Sequence, residues 1–218
     1  MAPGCIVVYL DAKDSSGFKS LEKWLATVRT AIPGVQVTMK LEATDTVDES
    51  ERPYRLEYLL QVADIDNIQD STIESLRASA KDLLTRSDWN LFRSISFDKK
   101  PDFDASVTPP LNMQLVQVGM APRNDPDNIA DYHNWYKTEH MPFLAQVPGW
   151  QVGNRYEFVR AVGDKAEIVR PFLAAHLYDE VNGLGGPEWR KSVDSQYTKR
   201  VQKNCVEPNH RRTWKVVG

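Results

Sequence analysis

The chain has 218 residues, a formal net charge of −3 and a sequence pI near 5.8. That length can bury a substantial core, and the acidic balance argues against nucleic acid as the main partner, the basic run His210-Arg211-Arg212 being local. No apolar run approaches the roughly 20 residues that span a bilayer, and the N-terminus, without a basic lead, reads as a strand and not as a signal peptide.

In chain order, a strand over 5–10 precedes a helix over about 17–31, and Ile32-Pro33-Gly34-Val35-Gln36-Val37 opens a strand that runs to 41. A strand over 54–62, a helix over 71–85 and a strand over 91–97 complete a β-α-β-β-α-β unit. Residues 98–110 are polar and proline-rich, as a linker should be. The same order then returns. A strand over 113–120 leads to a helix beginning near Asp125, and Val147-Pro148-Gly149-Trp150-Gln151-Val152 opens a strand to 156. A strand over 171–178, a helix over 187–203 and a strand over 212–217 follow. The apolar-Pro-Gly-x-Gln-Val turn falls at matching positions, so one ferredoxin-like split unit is written twice, over 1–104 and 105–218. The predicted class is α+β. Each four-stranded antiparallel sheet leaves one face bare, so the two units are expected to pack sheet to sheet. Because the halves can satisfy each other, a monomer and a homodimer are both compatible with the pattern.

Cys5 and Cys205 have neither a CxxC nor a zinc-like spacing, which predicts two reduced thiols and a cytoplasmic protein. Asn182-Gly183-Leu184-Gly185-Gly186 lacks phosphate-loop spacing and reads as a turn before a helix at Pro187. No serine sits in a GxSxG elbow.

The helix from Asp125 carries the chemistry. Asp125 suits the N-cap, Pro126 the first helical position and Asp127 the helix dipole, while Pro142 should stop the helix near His140. Winding at the helical period puts Ile129, Tyr132, His133, Tyr136, His140, Phe143 and Leu144 on one face. A helix serving only as core would carry aliphatic residues there, because buried polar groups need partners. Aligned on Trp24 and Trp135, the first repeat has Glu22, Leu25 and Arg29 where the second has His133, Tyr136 and His140. All four histidines lie in the second half, so the first unit is expected to be structural and the second to hold the site. On the strand after the turn, alternation places Trp150, Val152, Asn154, Tyr156 and Phe158 toward the histidines and Arg155 away. His176 shares a strand face with Phe172, Ala174 and Tyr178 and is expected to look inward too.

The run Tyr132-His133-x-Trp135-Tyr136-x-x-Glu139-His140-x-Pro142, continuing to Val147-Pro148-Gly149-Trp150 and Arg155-Tyr156, resembles the EthD-like branch of the dimeric α+β barrel superfamily. The resemblance is specific over about 125–156, and it implies a pocket between sheet and helices for small, often aromatic or polyketide-like molecules. The wider superfamily includes cofactor-free oxygenases, lactone isomerases, polyketide cyclases, decarboxylases and haem peroxidases. Carried over by position, the motif falls on His133, Glu139 and His140, with Tyr136 beside them.

Seven residues along a helix span about 10.5 Å, so the two histidines suit opposite ends of one organic molecule and not one metal ion. His140, near the expected helix end, should favour its protonated form, which assigns His133 as base and His140 as acid or oxyanion stabiliser. Tyr136 lies between them, and Glu139 would orient a histidine or pair with Arg155. Expected substrate contacts are Tyr132, Phe143, Trp150, Asn154, Tyr156 and His176. The expected function is a cofactor-independent lyase or cyclase acting on a hydrophobic polyketide-like or aromatic substrate in secondary metabolism, with no metal, no nucleic-acid partner and no membrane partner. The alternatives are a cofactor-free oxygenase and a non-catalytic small-molecule or stress-response binder; a haem protein ranks below them.

Overall fold

Eight antiparallel strands and their helices follow the predicted order in a computed structural model that describes residues 1–45, 54–163 and 170–218. The first half runs β1 (Gly4–Ala12), α1 (Phe18–Ala31), β2 (Val35–Ala43), β3 (Leu56–Val62), α2 (Asp70–Ser79) and β4 (Leu84–Lys99). The second begins with β5 (Gln114–Met120). A continuous helical segment follows, made of α3 (Pro126–Trp135), a π turn (Tyr136–His140) and α4 (Met141–Leu144). Then come β6 (Trp150–Gly163), β7 (Phe172–Tyr178), α5 (Pro187–Asp194), α6 (Gln196–Lys203) and β8 (His210–Val216).

The strands pair in the orders β4-β1-β3-β2 and β8-β5-β7-β6, each a ferredoxin-like sheet, and β4–β6 and β2–β8 join them into one closed barrel. Val7, Met39, Leu59, Leu115, Tyr156 and Trp214 fill its interior. The helices cover the outside in two further apolar layers, one per half. Each layer is tied by its repeated tryptophan. Trp24 Nε1 donates to Leu76 O at 3.1 Å, and Trp135 Nε1 donates to Thr198 Oγ1 at 3.0 Å.

Three predicted boundaries move. The second helix stops at Ser79 and β4 begins at Leu84, because β1 pairs with it from Arg93 back to Leu84, with one bulge at Thr85. The last helix breaks at Ser195, which turns extended and caps α6 by accepting from Thr198 N at 2.9 Å. Pro142 does not stop the histidine helix. Met141 N–H reaches back five residues to Tyr136 O, and the proline then sits in the first turn of α4, where its missing N–H is not needed.

The repeated turn does more than reverse the chain. Gly34 and Gly149 adopt φ of 70° and 82°, the left-handed position a Pro-Gly turn requires. After each, the register slips by one residue: Val35 pairs with Val62 but Val37 with Gln61, and Trp150 pairs with Tyr178 but Val152 with Leu177. Gln36 and Gln151 are therefore bulged, and a bulge switches the face on which following side chains project. Val35 and Trp150 pack toward the helices, whereas Val37, Met39, Val152 and Tyr156 point into the barrel or line its mouth.

Candidate active site

A cleft of about 610 Å³ opens beside the π turn, lined by His133, Tyr136, Met141, Trp150 and Arg155 from the second half. Its facing wall is the end of β4, where Ile95, Ser96, Asp98 and Lys99 line it. The first half, expected to be scaffold, thus supplies one side of the cleft.

Arg155 is the residue that alternation misplaced. The bulge at Gln151 turns it toward the helices, where it is buried at 5% exposure with its guanidinium 3.9 Å from the ring centre of Tyr136 and 5.0 Å from that of Tyr132. Its Nη2 donates to His133 Nδ1 at 3.0 Å, and its Nε has no partner. Among the described residues no carboxylate pairs with it. The repeat shows what is missing. At the equivalent place in the first half, Lys40 on β2 meets Glu22 on α1 at 2.5 Å. The second half keeps the strand cation and replaces the helix carboxylate by His133.

The environment sets protonation. Burial, then the Arg155 charge, lowers the His133 pKa below the ordinary histidine value, with Glu157 opposing. Because an arginine N–H only donates, a neutral His133 accepts at Nδ1 and carries its proton on Nε2. Burial, with Tyr132 next in effect, pushes the Tyr136 phenol well above its ordinary value, and burial takes Tyr132 to about 12. Both phenols stay protonated near neutral pH.

The other expected site residues fall elsewhere. His140 is not at a helix end, because the π turn and α4 carry the helix past it. Its ring stacks on Trp135 at 4.1 Å, its Nδ1 donates to Ser192 O at 3.1 Å, and burial pushes its pKa down to about 4. The expected protonated His140 is therefore corrected to a neutral histidine packed behind the cleft. Glu139 pairs with neither Arg155 nor a histidine; it accepts from Ser195 Oγ at 2.5 Å and so fixes the start of α6. Asn154 and Tyr156 face the barrel side with Val152, across the sheet from the histidines. Tyr132 lies beneath Arg155 and against Phe172, and half-buried Phe143 is outside the cleft lining.

His176 does look toward the helices, buried, with its Nδ1 accepting from Trp150 Nε1 at 3.3 Å. Burial, then His140 and Arg155, pushes its pKa down to about 3. It supports Trp150 from behind. Of the expected residues, the cleft gathers His133, Tyr136 and Trp150, and it adds Arg155.

No family model and no curated protein matches the sequence. Solved structures match over 100% of the chain. One is an anthrone oxidase-like protein, at 12% identity and TM-score 0.57 over 92% of its own chain. A second is a protein provisionally described as a monooxygenase from Fusobacterium nucleatum, at 10% identity and TM-score 0.59 over 93% of its chain. A third is a haem-binding protein from Thermus thermophilus, at 10% identity and TM-score 0.50 over 92% of its chain. At such identities the likeness shows the fold, which is the dimeric α+β barrel, here with both halves in one chain. The EthD-like resemblance rests on the motif.

The residues present do not fit a haem. A ligating histidine offers one nitrogen to the iron and donates the other N–H to a carbonyl or carboxylate. His133, the histidine lining the cleft, does the reverse, accepting from a cation and leaving Nε2 protonated. Among the described residues, no cluster of three or more His, Cys, Asp or Glu could hold a metal ion, and no helix is long and apolar enough to cross a membrane.

Proposed function

We propose that the chain is an enzyme that binds a hydrophobic aromatic or polyketide-like molecule in this cleft and transforms it by acid/base chemistry as a lyase or cyclase, by dehydration, decarboxylation or ring closure. The observation that carries this reading is Arg155, a buried guanidinium with no carboxylate partner among the described residues, set on an apolar wall beside a neutral histidine. These reactions pass through enolates or phenolates, and a fixed cation stabilises the oxygen on which that charge develops. His133 is the candidate base, Tyr136 the candidate proton donor, and Trp150 with Met141 an apolar surface that orients rings and excludes water. A volume near 610 Å³ lies within the range of ordinary small-molecule sites.

A second reading, a cofactor-free oxygenase, has support from the anthrone oxidase-like and monooxygenase neighbours. The same anion would then react with dioxygen, and turnover would cease under argon, whereas a lyase or cyclase would continue.

The test is a metabolite profile of the source organism lacking this protein, complemented with wild type or with Arg155→Met. A precursor cleared by wild type and left by the variant supports the enzyme and reveals its substrate. Equal clearance removes Arg155 from the mechanism, and an unchanged profile favours a non-catalytic binder.

A further inference from the structure

We propose that Arg155 masks His133 as a base before a ligand binds, and that an acidic ligand oxygen unmasks it by taking the same guanidinium N–H. This rests on the reading that the cleft holds such an oxygen at Arg155. With Nδ1 accepting from Nη2 at 3.0 Å and Nε2 protonated, a neutral His133 has no free lone pair. Among the described residues the guanidinium, in turn, is held by that imidazole and by the side chains of Tyr132 and Tyr136, and its Nε is unpaired. An anionic oxygen is a much stronger acceptor for it than a neutral ring nitrogen.

The first repeat shows the completed arrangement, in which Lys40 meets the carboxylate of Glu22. In the second repeat the negative charge must come from the ligand. As it binds, the proton of a phenol O–H, or of a carbon beside a carbonyl, passes to Nδ1. The electron pair stays on the ligand as phenolate or enolate, whose oxygen receives the Arg155 N–H, and His133 becomes an imidazolium. The charged and titratable groups around His133 are Arg155 and Glu157 from β6 and Tyr132 on its own helix, with Tyr136 and Lys137 of the π turn and Asp98 and Lys99 of β4 lining the same cleft; Phe172 of β7 presents an apolar ring 5.2 Å away.

The probe is 2-naphthol with the full chain. Naphtholate absorbance reports ionisation of the bound phenol, and long-range proton–nitrogen spectra report the ring nitrogens of His133, assigned by His133→Gln. Without the probe, His133 should be the Nε2-protonated tautomer over the neutral range. At saturation its titration midpoint should rise by about one unit or more, about tenfold in protonation, because an anion replaces a cation as its neighbour. In Arg155→Met, the midpoint should rise only part of the way toward the ordinary value, because burial, the larger cause, remains, and the probe should move it less than in wild type; if that variant does not fold, the wild-type titration alone decides. Naphtholate that forms in wild type with His133 unmoved overturns the masking and leaves the reading of the cleft intact. No naphtholate in wild type overturns both.

Discussion

The guanidinium of Arg155 lies 3.9 Å from the ring centre of Tyr136, and its hydrogen-bond partner is a neutral imidazole where the first half has a carboxylate. A buried charge without a counter-charge costs several kcal/mol, so this position is built against stability. Methionine fills similar space without the charge. Arg155→Met should therefore leave thermal stability unchanged or raise it by about 1 kcal/mol or more, while turnover falls about 100-fold or more. Melting and activity measured on one preparation check this; a variant that melts earlier would show that Arg155 holds the fold together.

Gly153 makes room for the layer behind the cleft. A Cβ there would stand 2.8 Å from His176 Nδ1 and 2.9 Å from Met141 Sδ, and Met141 lines the cleft. Gly153→Ala should cost about 1–3 kcal/mol by overpacking and weaken ligand binding by displacing Met141, His176 and the Trp150 indole bonded to it. Urea midpoints and probe titrations measure both effects, and an unchanged midpoint would mean that the layer yields freely.

The tandem architecture was legible because two features agree: the shift between helical and strand periodicity, and a turn motif that recurs at matching positions. The histidine helix was legible from its cap and from polar residues on a face that ought to be apolar. Arg155 was not, because counting by twos from Trp150 puts it on the wrong side of the sheet, and only the bulge at Gln151 reverses that count. The repeat held a signal, since Gln36 bulges identically and Lys40 then meets Glu22, the residue aligned with His133. Periodicity alone cannot reveal an extra residue in a ladder. His140 misled for a related reason, as the π turn absorbs the break that Pro142 would otherwise impose.

Glu57 predicts a pH dependence unrelated to the cleft. It is fully buried, accepts from Gln117 Nε2 at 2.7 Å, and leaves Oε2 without a partner among the described residues. Burial pushes its pKa from 4.5 up to about 8, against the pull of Gln117 and Arg212. Between those two values the folded chain holds a proton that the unfolded chain has released, so this contribution to stability is full below pH 4.5 and is lost as pH rises toward 8. Glu57→Gln keeps an acceptor for Gln117 and removes the titration. Variant minus wild type, followed by urea denaturation in pH steps, should therefore grow more favourable toward pH 8. The buried histidines, held low, lose stability as pH falls, which is why the difference is the quantity to follow. A flat difference would place Glu57 in contact with water.

The barrel closes through two unequal seams. β4 and β6 pair from Asp88–Gly163 to Lys99–Val152, whereas β2 and β8 share three residue pairs, from Leu41–Val216 to Ala43–Trp214. The short seam is reinforced by side chains. Arg212, with no exposed surface, donates from Nε and Nη2 to Asp45 at 3.0 and 3.2 Å, and Thr213 N donates to the same carboxylate at 3.1 Å. Arg212 Nη2 also reaches Tyr54 O at 2.7 Å, and its guanidinium lies 4.3 Å from the Trp214 ring centre inside the barrel. Asp45→Ala leaves that buried guanidinium the Tyr54 carbonyl and the Trp214 ring but takes away its paired carboxylate, and loss of one partner of a buried pair costs about 3–5 kcal/mol. Because this seam, three ladder pairs extended by backbone bonds at Lys40 and Thr44, is much shorter than the β4–β6 ladder, the loss should appear first as its opening. Hydrogen exchange should quicken at residues 41–43 and 214–216 while the β4–β6 ladder keeps its protection; uniform loss along both seams would show that the barrel opens as one unit.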